Sequence, residues 1–173
     1  TGSIVPGTIG TPARSAASAS QSAARIRASS ALSTCTLPHW QRRIAEQRAE
    51  VEKIRDNADA PTFANTIEAL EVTGELLVRV GNVFDNLNDA ETNDTMQKIA
   101  KDVAPMLSKL NDDIFLDPKL FARVKAVYDQ RAKLNLNPEQ LRLLEETYKQ
   151  FVRGGANVKE ADKKEFRDIN ERL

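Results

Sequence analysis

The chain has 173 residues, 40% apolar and 29% charged, which suffices for one domain with a sizeable core and is too little for a large multidomain enzyme. Lys and Arg number 25, as do Asp and Glu, so the charge balance gives no reason to expect nucleic acid or an anionic membrane as a partner. The single cysteine, Cys35, excludes an intramolecular disulfide and a zinc site built on paired cysteines; no run of about 18 apolar residues occurs, so no membrane-spanning helix is expected.

Composition shifts near residue 36. Thr1 to Ala45 holds no Asp or Glu, and residues 14–34 (RSAASASQSAARIRASSALST) are mostly Ser and Ala with Arg14, Arg25 and Arg27. Such a segment buries too little apolar surface to offset its ordering entropy, so residues 1–36 are expected to form a disordered tail, with a weak helix as the alternative for the Ser/Ala stretch. An acid-free, Arg- and Ser-rich start also fits an organellar transit peptide. The first residue is Thr1 rather than Met, which reads as a non-native start.

From Leu37 onward the apolar period is helical. Trp40, Ile44, Gln47, Val51 and Ile54 recur every three or four residues, with Pro38 in a tolerated first-turn position. Asn65 and Glu68, at capping-box spacing, open a second, long helix through Ile67, Leu70, Leu77, Val80, Phe84 and Leu87. Gly74 and Gly81 fall inside it, seven apart, on a face where another helix can approach closely. After the polar run Asp89 to Asp94 comes a third stripe of Met96, Ile99, Val103, Met106, Leu110 and Ile114, with Pro105 inside it and a kink expected there.

Two further helices start with an Asx-Pro pair. Asp117-Pro118 precedes Phe121, Val124 and Tyr128, while Asn137-Pro138 with Gln140 precedes Leu141, Leu144, Tyr148 and Phe151. Gly154-Gly155 supplies a left-handed stop, and a last helix carries Ala161, Phe166, Ile169 and Leu173. With no run of alternating β-branched residues, the class is all-α: about six helices in an antiparallel bundle joined by short polar loops, over residues 37–173. That last helix has no stop signal, as expected of a chain cut short.

Candidate chemistry is sparse. His39 is the only histidine, whereas H-E-x-x-H needs two, four apart. Cys35 has His39 as its only nearby base and no third, orienting group, so an inert thiol is expected. The carboxylate pairs Asp112/Asp113 and Glu145/Glu146 read as solvated faces or loops. Gly154-Gly155 is followed by Ala156 and Asn157, without the G-K-[ST] of a phosphate loop. No catalytic, cofactor-binding or metal-ligating residue is assigned.

Three segments carry a resemblance: FANTIEALEVTGELLVRVGNVFDNL (63–87), TNDTMQKIAKDVAPMLSKLNDDIFLDPKLFARVKAVYDQR (92–131) and LNPEQLRLLEETYKQFVRGGANVKEADKKEFRDINERL (136–173). In order and spacing they resemble the amino-terminal helical region of zinc endopeptidases of the thimet oligopeptidase and oligopeptidase A group, especially its bacterial-type peptidyl-dipeptidases. The phrases LFARVKAVYDQR and FVRGGANV followed by ADKKEFRDIN are the most specific. The resemblance implies a piece of the wall of a deep channel, with zinc, its H-E-x-x-H helix and a further Glu ligand in sequence this chain does not contain.

It also implies short peptides as substrates of the intact enzyme, dipeptides released from the carboxyl end, and the catalytic remainder as the chain's main partner. Cytoplasmic location is expected, or mitochondrial if residues 1–36 act as a transit peptide. Those residues depart from the extended Pro- and aromatic-containing lead of the family, leaving a transit peptide, a cloning leftover or a damaged gene as open origins. A second reading is a non-catalytic helical module that binds a partner through apolar surface left by a lost catalytic half. On the first reading Phe151, Phe166 and Ile169 are expected to be exposed, awaiting downstream sequence.

Overall fold

The computed structural model describes residues 36–159 and 161–170, and among these every regular element is helical. The expectations for a tail over residues 1–36, for Cys35 and for Leu173 fall outside the described residues, Thr36 apart. In chain order the elements are α1 (Leu37–Arg55), a π-helical segment (Phe63–Glu68) running into the single turn α2 (Ala69–Glu71), α3 (Glu75–Glu91), α4 (Asp94–Phe115), α5 (Pro118–Asp129), a 3-10 turn (Arg131–Lys133), α6 (Pro138–Arg153) and α7 (Lys163–Asn170).

Local chemistry fixes most helix ends. Asn93 accepts from the Met96 amide to start α4, and Asp117 accepts from the amides of Lys119 and Leu120 to start α5. Asn137 and Gln140 form the expected capping box at α6. The close of α6 is a Schellman arrangement: the Ala156 amide donates to the Phe151 carbonyl (2.9 Å) and the Gly155 amide to that of Val152 (3.3 Å). Gly155 has φ +96°, and a Cβ there would lie 2.9 Å from Leu116 Cδ2 and 3.0 Å from Phe166 Cε1, so both backbone and space demand glycine.

The long second helix is corrected by the structure. Its start is a capping box of Thr62 with Asn65, not Asn65 with Glu68: Thr62 Oγ1 accepts from the Asn65 amide and Asn65 Oδ1 accepts from the Thr62 amide. Its run is then broken at Gly74, where φ is +72° and α3 begins anew. The Gly74 amide donates to the carboxylate of Glu50 on α1 (2.9 Å), and a Cβ at Gly74 would collide with the Gln47 side chain. The expected close approach is thus present at both glycines, since the Gly81 position faces the Trp40 ring at 3.7 Å. Pro105 does not end α4, which runs as one helix to Phe115; the carbonyl deprived of its donor is that of exposed Lys101.

Helix α1 joins two apolar clusters. Its first half gives Trp40 and Ile44 to a cluster with Leu77 and Phe84 of α3 and Met96, Val103 and Leu110 of α4, where Trp40 meets Phe84 edge-to-face at 5.7 Å. Its second half gives Val51 and Ile54 to a cluster with Phe63, Ile67, three residues of α5 and Leu144 and Phe151 of α6. Each such side chain contributes at most about 1.5–3 kcal/mol. The buried stripe of α5 is Leu120, Val124 and Val127; the expected Phe121 and Tyr128 are half-buried on its flank, where Tyr128 stacks on Tyr148 at 4.0 Å.

Arg123 lies in that buried stripe. It donates from Nη1 to the carbonyls of Asn57 (2.8 Å) and Asp59 (3.0 Å) and from Nη2 to Asn65 Oδ1 (3.3 Å). The guanidinium therefore holds the α1–π loop and the π-segment cap onto α5. Replacing it by Met keeps the aliphatic stem but leaves these acceptors without their donor, and should lower urea-unfolding stability by about 2–3 kcal/mol. A loss below about 0.5 kcal/mol would put the clamp in doubt.

Candidate functional site

A charged cleft lies where α1, the end of α4, the start of α5 and α7 meet. Helix α7 is held there largely by polar bonds. The buried Lys163 ammonium donates to the Leu116 carbonyl (2.9 Å), Ser108 Oγ donates to the Asn170 carbonyl (3.1 Å), and Asn170 Nδ2 donates to Asp112 Oδ1 (2.7 Å). Beside this seam is a cleft of about 320 Å³ bordered by Arg48, Arg55, Asp113, Asp117 and Arg167.

The charges in the cleft largely satisfy one another. Arg48 pairs with Asp113 at 2.7 Å, and Lys109 also approaches Asp113, at 3.7 Å. Arg55 lies 3.6 Å from Asp117, whose carboxylate already caps α5, and 2.6 Å from Asp56. The Asp56 hydrogen bond pushes the Arg55 guanidinium further up, and the same bond holds the Asp56 carboxyl below its usual range. The ion pairs of Asp113 and Asp117 thus tie α1 to the end of α4 and the start of α5.

The residues weighed from sequence do not converge here. His39 is half-buried in the first turn of α1, its amide bonded to the Thr36 carbonyl at 2.9 Å. Asp112 and Asp113 are corrected: neither sits on a solvated face, because Asp112 is buried against Asn170 and Asp113 is half-buried against Arg48. Glu145 and Glu146 are half-buried on α6, and Lys149 holds the Glu146 carboxyl below its usual range. Among the described residues no three His, Cys, Asp or Glu side chains come together as metal ligands would. No helix of the described residues is long and apolar enough to cross a membrane.

The expected exposed face is also corrected. Phe151 is buried in the second cluster, 5.1 Å from the Phe115 ring and 6.1 Å from that of Phe121, and Phe166 is half-buried beside Gly155; Ile169 is exposed. Sequence reading passed over Arg123 and Lys163, both buried cations bonded to backbone carbonyls. The available signal was position: Arg123 stands three residues after Leu120 and four before Val127, within the apolar period of α5.

The acid limb of stability has a defined sign. Glu46 is held below its ordinary value of 4.5 by hydrogen bonds from Arg43 first and Arg42 second. A depressed carboxyl stabilises the fold above its unfolded value and loses that contribution as pH falls through the folded value. Glu46→Gln should therefore be less stable than the parent at neutral pH, and the two should converge as pH falls through the lowered Glu46 value. Because the pair is exposed the difference is small and should shrink in about 1 M salt. Divergence growing toward acid pH would contradict the assignment.

No family model matches the sequence. The chain is 41% identical over 133 residues to the dipeptidyl carboxypeptidase of Escherichia coli K12, a match covering 77% of this chain and 20% of that protein. It is 40% identical over 133 residues to the dipeptidyl carboxypeptidase of Salmonella typhimurium LT2, with the same coverage. The chain is thus related to the dipeptidyl carboxypeptidases, and it spans about a fifth of the length of the curated relatives it matches.

Proposed function

We propose that this chain is the amino-terminal helical wall of a zinc peptidase of the peptidyl-dipeptidase type, and that it shapes the channel while the chemistry belongs to a catalytic remainder. The observation that carries this is the 41% identity to a dipeptidyl carboxypeptidase over 133 residues of a wholly helical unit. In the intact enzyme short peptides would enter the channel and dipeptides would leave from their carboxyl ends. The zinc that this reading requires finds no fit among the described residues of this chain, where no ligand-type cluster occurs. Its ligands are assigned to the remainder, and this chain alone is inactive. A cytoplasmic setting agrees with the reading.

A wall segment contributes position rather than reacting groups, so its worth is read only in the presence of the remainder. The test is a chimera in which residues 37–170 replace the aligned segment of the Escherichia coli dipeptidyl carboxypeptidase. It should fold and release dipeptides from the carboxyl end of a blocked tetrapeptide, whereas the 173-residue chain alone releases none. A chimera that folds and binds zinc yet has no activity would overturn the proposal.

A further inference from the structure

Four of the six large apolar side chains exposed among the described residues lie between positions 72 and 83: Val72 (70%), Leu76 (48%), Val78 (60%) and Val83 (45%). Leu76, Val80, Val83 and Leu87 follow 4-3-4 spacing, which gathers them within about 60° of arc on α3. This stripe is distinct from the inward pair Leu77 and Phe84, which fill the first cluster. Val80 and Leu87 rest half-buried against that cluster, while Leu76 and Val83 stand outward beside them, so the stripe continues the core onto the surface.

Its charge content is low. The twelve residues from Leu76 to Leu87 carry two charges, Arg79 and Asp85, in a chain that is 29% charged. Depletion of charge around outward apolar anchors marks the centre of a protein interface rather than a solvated helix face. The spacing is that of helix-on-helix packing, in which such a ridge enters the groove of a second helix. The matched relatives are about five times as long as the region they share with this chain, so ample polypeptide exists to supply that helix.

We infer that the stripe Leu76, Val80, Val83 and Leu87 on α3 is the surface through which this helical unit docks onto a helix of the catalytic remainder. The inference rests on the wall reading above and moves its contact away from Phe151, which is already buried. Val78, on the opposite side of α3, is exposed without belonging to the stripe.

The test compares Leu76→Asp with Val83→Asp, as a pair, in the 173-residue chain and in the chimera. In the chain alone the pair should leave the melting temperature nearly unchanged, because both positions face water. In the chimera it should lower dipeptide release by about tenfold or more and lower the melting temperature, since two carboxylates would be pressed into an apolar contact. Val78→Asp should be silent in both.

Several outcomes overturn the inference. An active chimera indifferent to the pair removes the docking surface but leaves the wall reading standing, whereas a folded, inactive parent chimera removes both. Equal destabilisation of the chain alone would place the occupant of the stripe within the chain, residues 1–35 included. Sedimentation of the chain as a dimer that the pair dissolves would assign the surface to a second copy.

Discussion

A buried guanidinium organises the half of this molecule that carries α5 and α6. Burying Arg123 without partners would cost several kcal/mol, and the fold offsets that cost with two backbone carbonyls and one amide oxygen, leaving Nε alone without a partner. Those acceptors come from residues 57 to 65, a stretch that includes the α1–π loop and is otherwise anchored to the core through Phe63. Arg123 therefore converts an irregular loop into a fixed support. Asn65 multiplies the effect, because its Oδ1 also receives the Thr62 amide and the Thr66 hydroxyl while its Nδ2 donates to the Ala60 carbonyl. Lys163 repeats the device at the other end, fastening α7 to the carbonyl of Leu116, the C-cap of α4.

Between these clamps α1 acts as the shared beam. One face supplies Trp40 and Ile44 to one apolar cluster and Val51 and Ile54 to the other, so neither cluster closes without it. Glu50 and Gln47 on the same helix receive the glycine turn that separates α2 from α3. The result is a rigid support whose buried cations are used for structure, while the remaining apolar surface is concentrated on α3.

Much of the fold was legible because helix signals are local. The Asx-Pro starts at Asp117 and Asn137, the Gly155 stop and the stripe of α1 all act within a few residues, and each appears where the sequence places it. Failures occurred where a distant contact decides the outcome. The break at Gly74 depends on Glu50 and Gln47, more than twenty residues away, and no local pattern reveals it. Asp112 reads as a helix-surface acid until Asn170, 58 positions on, covers it. Phe151, expected to await downstream sequence, is instead covered by Phe115 and Phe121 of other helices.

The most specific phrases of the resemblance, LFARVKAVYDQR and FVRGGANV followed by ADKKEFRDIN, contain Arg123 and Lys163, the two clamps. The most direct test is the metal content of the purified 173-residue chain after dialysis, measured together with dipeptide release. Zinc far below one per chain and no dipeptide release are expected. One tightly held zinc per chain, with turnover abolished by a chelator, would contradict the wall reading.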